Sequence, residues 1–397
     1  MTGGGGPYRD RLEILASDGV IEGHLDAWAS RQRSDDGLGS WRRVYAKLRP
    51  QRSPWAVLVY QAVGGGTVQV RLLETTDRRA DVSDAVRQVG GLGPLEIVPC
   101  EEDRALPGLA AVLASLENPR VVRYHPGNRC TVRGGAGSAA RFVKVFADPV
   151  DDQVEVRARW DASASGALSF AVAEPHGWDE ESRSSWYGIV PGQPALPRLL
   201  GADGTELARQ VGASLGELAV AGLEPRRSDD ATSQLARTEL ALARAAAASP
   251  ALAPGLRRAS DALTRAHARL APRRLAPVHG AAHLGQWLVD DTGRLGLVDF
   301  DRYAWGEPEF DLATFVAELR ASASSRGVAS EQLEDAVLDS FRAVAGEVDA
   351  ERLALYTMHR RLTRVVQTAC ELRPDAEERA ARRLEELLPQ LDRLVTT

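Results

Sequence analysis

From residue 203 onward the chain reads as helix almost without interruption, and this asymmetry constrains the fold more than any other feature. Apolar residues recur at three- and four-residue spacing over 203–222, 229–248, 253–270, 307–322, 329–345, 349–371 and 374–395, which places them on one helix face. Only VHGAAHLGQWLVDD and LGLVDFDR break the run with β-type character. The first half is the reverse. Strand-like runs fill Val44–Leu48, Trp55–Ala62 and Thr67–Leu73, with GGG as a hairpin turn between the last two, and they predict a small antiparallel sheet. Ahead of them RDRLEILASDGVIEGHLDAWA reads as one amphipathic helix. After a helical LPGLAAVLASLE the β pattern returns in VVRYHP, RCTVR, ARFVKVF, LSFAVAEP and SSWYGIVPG. A helix is expected from Asp151, because Asp151 and Asp152 complement the dipole of a helix N-terminus. Strands and helices segregated in this way predict an α+β class. The expected units are an N-terminal extension over 1–115, a strand-rich lobe over 116–192 and a helical lobe over 193–397 that contains the short hairpin.

Charge and cysteine usage narrow the function. Acidic residues outnumber basic ones by 55 to 49, and the arginines are scattered among Glu and Asp, so no basic footprint for nucleic acid is present. Cys100, Cys130 and Cys370 are far apart and lack metal-ligand spacing, which predicts buried free thiols in a reducing compartment. The N-terminal MTGGGGPYRDR has no basic segment followed by an apolar one, and no run of eighteen apolar residues follows. A cytoplasmic chain with no membrane partner is expected.

The chemistry concentrates in residues 278–315, VHGAAHLGQWLVDDTGRLGLVDFDRYAWGEPEFDLATF. Phosphoryl transfer needs a group that orients and deprotonates the attacking hydroxyl, and oxygen ligands that hold magnesium against the phosphates. A loop followed by a β-hairpin projects both to one side. The segment resembles the catalytic and metal-binding stretch of the aminoglycoside phosphotransferase and choline kinase-like family, in which His-Gly-Asp is followed by Asn and, after a strand, by Asp. The resemblance implies a two-lobed protein kinase-like fold, ATP or GTP with Mg²⁺ as cofactors, and a hydroxyl acceptor on a small molecule or on Ser or Thr of a peptide. It makes Asp299 the magnesium ligand and sets Gln286 where the family has Asn. His279 opens the motif, and Ala281 stands where the family has its catalytic aspartate. A methyl group neither accepts a proton nor orients a nucleophile, and His283 is the nearest conceivable stand-in. Ala281 is therefore either a natural departure or a substitution introduced into a working enzyme. The alternative reading is a pseudokinase that binds a peptide or partner protein.

The same resemblance extends upstream. Lys144, in RFVKVF, matches the strand lysine that pairs with nucleotide phosphates, and it stands out in a chain that elsewhere prefers Arg. Glu155 is the acidic partner the resemblance implies for it. The turn GGAGSAA, with Gly134, Gly135 and Gly137, is expected to lay backbone N–H groups over phosphates. In WYGIVPG, Ile189 and Val190 correspond to the linker on which the base rests, and Asp311 to a carboxylate that braces the catalytic loop or caps a helix. Asp301 reads equally well as surface.

Overall fold

A computed structural model describes residues 8–16, 19–31, 40–74, 86–148 and 168–396. The helix expected from Asp151 and the candidate Glu155 lie outside the described residues.

Two helices open the chain where one was expected, α1 (Arg9–Ala16) and α2 (Val20–Ala29). Gly19, at φ 84°, precedes α2 in the left-handed conformation that glycine adopts without penalty. They bury Leu12, Leu15, Ile21 and Leu25 against an antiparallel sheet of β1 (Trp41–Leu48), β2 (Ala56–Ala62), β3 (Thr67–Leu72), β4 (Val86–Val89) and β5 (Gly93–Pro99), in the order β1-β2-β3-β5-β4. Strand β2 is buried on both faces. Leu58 and Tyr60 face the core under the helices, while Val59, on the alternate side, joins a second core built on α3 (Leu109–Ser115) and the next sheet.

That second sheet is formed by β6 (Arg120–His125), β7 (Arg129–Gly134) and β8 (Arg141–Phe146), and by β10 (Pro175–Asp179) and β11 (Ser184–Gly188), in the order β10-β11-β8-β7-β6. Between β8 and β10, β9 (Ala171–Val172) leaves the sheet to pair elsewhere. After β12 (Gln193–Pro194) the expected helices follow: α4 (Leu196–Leu199), α5 (Gly204–Val220), α6 (Ala231–Ala248) and α7 (Ala253–Arg269). Asp230 caps α6 by accepting the Ser233 N–H at 2.9 Å. Short strands β13 (Ala276–Val278), β14 (Trp287–Val289), β15 (Leu295–Leu297) and β16 (Ala304–Gly306) interrupt the helical part, and α8 (Glu309–Ser324), α9 (Glu331–Ala345), α10 (Ala350–Ala369) and α11 (Ala376–Thr396) complete it.

The hairpin β14–β15 is joined by β12 on one side and, in parallel, by β9 on the other. Leu284, Trp287, Leu295 and Leu297 root it in a core shared with α5, α8 and α9. A rigid hairpin thus stands where the strand-rich and helical parts meet. Among the described residues no helix is long and apolar enough to cross a membrane. The three cysteines are free thiols, Cys100 and Cys130 buried.

Candidate active site

The buried strand β15 delivers Val298 and then Asp299 to the junction between the two parts. Asp299 adopts φ 68°, a left-handed conformation in which few residues besides Gly, Asn and Asp are at ease. It ends the strand and turns its carboxylate toward β8. There Lys144 Nζ donates to Asp299 Oδ1 at 2.5 Å and to Asp301 Oδ1 at 2.6 Å. Arg129 also pairs with Asp301 and lies 3.8 Å from Asp299. Burial opposes ionisation of Asp299, but Lys144 and Arg129 outweigh it and hold the carboxyl well below the usual range. Burial likewise works against the Lys144 ammonium, and Asp301 and Asp299 overcome it, so the amine stays charged. Asp301, which read equally well as surface, is part of the cluster.

The Gln286 amide nitrogen lies 3.0 Å from Asp299 Oδ2 and 3.1 Å from His283 Nε2. Rotating the amide would present its oxygen beside Asp299. Two carboxylates and one amide form a sparse, hard oxygen donor set, of the kind magnesium accepts when phosphates and water complete its shell. Among the described residues no group of three or more His, Cys, Asp or Glu competes as a metal cage.

The loop ahead of β14 is held from below. The buried Asp311 carboxylate accepts the N–H groups of His279 (2.6 Å), Gly280 (3.3 Å) and Ala282 (3.3 Å). Burial pushes this carboxyl up to about 6 against the pull of those donors. Asp311 lies inside the first turn of α8 and is not its cap, which is Pro308. His279 is fully buried, with Nε2 3.0 Å from the Val298 carbonyl, and packs edge-on against Phe300. It fastens the loop to the strand end. Gly280, at φ 72°, has no room for a side chain, since a Cβ there would sit 2.3 Å from the Arg302 carbonyl. Ala281 follows, half-buried. In His283, Nε2 meets Gln286 and Nδ1 lies 3.2 Å from the Gly285 N–H. Both ring nitrogens are occupied, and burial lowers the pKa.

Between the sheet and the hairpin lies a cavity of about 350 Å³. Phe142, Val172, Val190, Leu288 and Val298 make one end apolar, while Lys144, Gln286, Asp299 and Asp301 make the other polar. Val190 lines it; the side chain of Ile189 points to solvent, 37% exposed.

The glycine turn is a correction. Gly134, Gly135 and Gly137 line no part of this cavity. The register pairs Thr131 with Lys144 but Gly134 with Arg141, so the 135–140 turn leaves the far end of the hairpin. Gly134 is needed because a Cβ there would meet Leu116 at 2.8 Å, and the Gly135 N–H is spent on the Glu117 carbonyl. The turn beside the acid pair is instead Pro126–Asn128, which delivers Arg129. The N-terminal unit grips it: Asp103 Oδ2 accepts the Gly127 N–H at 2.7 Å and the Tyr124 hydroxyl at 2.8 Å, and His125 packs edge-on against Tyr45. Asp103→Ala leaves both donors without their acceptor, a loss of about 2 kcal/mol. Its melting temperature is expected to fall as this turn and Arg129 loosen. A thermal melt at the wild-type temperature would show that water takes the place of this carboxylate.

Residues 128–346 match the model of the phosphotransferase enzyme family APH. The chain belongs to this family. Its fold is also found in solved structures, among them two choline kinases. The choline kinase LicA from Streptococcus pneumoniae is 13% identical with a TM-score of 0.50, over 70% of this chain and 96% of that one. A choline kinase from Cryptosporidium parvum Iowa II is 11% identical with a TM-score of 0.52, over 75% of this chain and 94% of that one. These likenesses establish the two-lobed kinase-like fold. Among curated proteins none matches the chain.

Proposed function

We propose that this family member is a phosphotransferase that moves the γ-phosphate of ATP to a hydroxyl of a small molecule, and that Ala281 slows the transfer. The observation that carries the reading is the convergence of Lys144, Asp299 and Gln286, from separate stretches of chain, at the polar end of a largely apolar cavity. The apolar end suits a purine base, with the 188–190 linker beside it. Lys144 and Arg129 bring positive charge to the phosphates. Asp299 and Gln286, with Asp301 at hand, would hold magnesium, which supplies charge neutralisation at the phosphates when bound.

In the transfer, the acceptor oxygen forms a bond to the γ-phosphorus. The bond from that phosphorus to the β,γ-bridging oxygen breaks, and its electron pair stays on ADP. The acceptor's proton has no carboxylate at position 281 to receive it and passes to solvent or to a phosphoryl oxygen. Positioning and electrostatics remain. No observation favours a peptide acceptor, a partner protein or GTP, and the proposal is confined to ATP and a small molecule.

The test is magnesium-dependent nucleotide binding. Asp299→Asn keeps a residue that tolerates the left-handed backbone, so the fold should persist while the stabilisation conferred by magnesium over nucleotide alone disappears. Equal stabilisation of both proteins would count against the assignment.

A further inference from the structure

Arg302 follows the acid pair by one residue and lies against the loop of the missing base. A Cβ at Gly280 would meet the Arg302 carbonyl at 2.3 Å and its Cβ at 3.0 Å, so the side chain starts out beside the Gly280–Ala281 step. The side chain itself is exposed to solvent.

The charges around it are unbalanced. Arg129 is matched by Asp301, Arg237 by Asp229 and Arg360 by Glu318. Arg302 makes no hydrogen bond or ion pair among the described residues. Arg237, Arg129 and Arg360 all act against its charge, and Asp229 is the carboxylate that supports it. Arg360 also leaves its buried Nε–H without a partner. A cationic acceptor would need a free carboxylate here, and Asp229, Asp301 and Glu318 already hold arginines while Asp299 holds Lys144. An oxyanion would meet an uncommitted, planar, five-donor guanidinium.

We propose that the acceptor taken beside Ala281 is an anionic hydroxyl compound, a small phosphate or carboxylate, and that Arg302 binds its anionic group. This rests on the phosphotransferase reading above and names the substrate class of the same site.

The test uses the full chain saturated with magnesium and a non-hydrolysable ATP analogue, so that the triphosphate positions are filled. It is titrated calorimetrically with glycerol 3-phosphate, with glycerate and with choline. At least one of the two anions is expected to bind, choline is not, and the two anions separate a phosphate from a carboxylate preference. Arg302→Gln should weaken anion binding by about 10- to 100-fold, the effect of losing a charge-assisted contact. Arg302→Lys should fall between, and analogue affinity should stay within about twofold, which also shows that the variants are folded. Choline binding more tightly than both anions, or anion affinity indifferent to Arg302→Gln, would overturn the proposal. So would analogue binding with no anion binding, which would leave the phosphotransferase reading standing. Failure to bind the analogue would remove both.

Discussion

Ala281→Asp is expected to raise phosphoryl transfer by about 10²–10⁴-fold, the usual contribution of a positioned general base. The site is prepared for that carboxylate. Position 281 already carries a Cβ, and its backbone is not among those with positive φ. Its neighbours 279, 280 and 282 are all held by Asp311, so the added group should not disturb the loop. Lys144, Asp299 and Gln286 are already assembled. Single-turnover transfer from γ-labelled ATP to a panel of anionic, neutral and cationic hydroxyl compounds reads the gain directly. No gain on any acceptor would mean that this loop does not position a base.

The second large effect is expected at Asp311. Removing its carboxylate in Asp311→Ala strands three buried backbone N–H groups, each costing about 1–3 kcal/mol without an acceptor, so a loss of at least ~3 kcal/mol is expected at neutral pH. Asp311→Asn should rescue part of the loss, since its amide oxygen can still accept the His279 and Gly280 N–H groups while its NH₂ faces only the Ala282 donor. The loss should also be felt locally. With the loop released, the transfer gained by Ala281→Asp should be lost in the Ala281→Asp, Asp311→Ala double variant, while ATP affinity, set largely by Lys144 and the hairpin, should change much less. A thermal melt and a single-turnover assay on the same preparation check both parts. A variant that melts with wild-type stability would show that water replaces the carboxylate.

The helical half was legible because its period is local. Every helix expected beyond residue 203 is present within a few residues of its expected ends. The 278–315 segment was legible through its resemblance, and its residues do meet. Elsewhere local pattern fell short. Strands β4 and β5 were lost in a stretch interrupted by Gly and Pro, where alternation is too brief to read. The 134–140 turn draws the eye because glycine content is visible in a sequence, whereas the hairpin register that brings Pro126–Asn128 to the acid pair is not. Asp301 and Arg129 could not be matched beforehand, since their contact spans 172 positions. The same holds for Asp103 and for Arg302, whose surroundings come from strand, loop and helix far apart in the chain.

The cleft of this chain, with Ala281 in place, is expected to bind magnesium and ATP through Lys144 and Asp299. A calorimetric titration of ATP with magnesium into the protein tests it most directly. A one-to-one isotherm of sub-millimolar affinity is expected, dependent on magnesium and weakened about 10- to 100-fold in Lys144→Met. No binding at millimolar nucleotide, or an isotherm that Lys144→Met leaves unchanged, would contradict it.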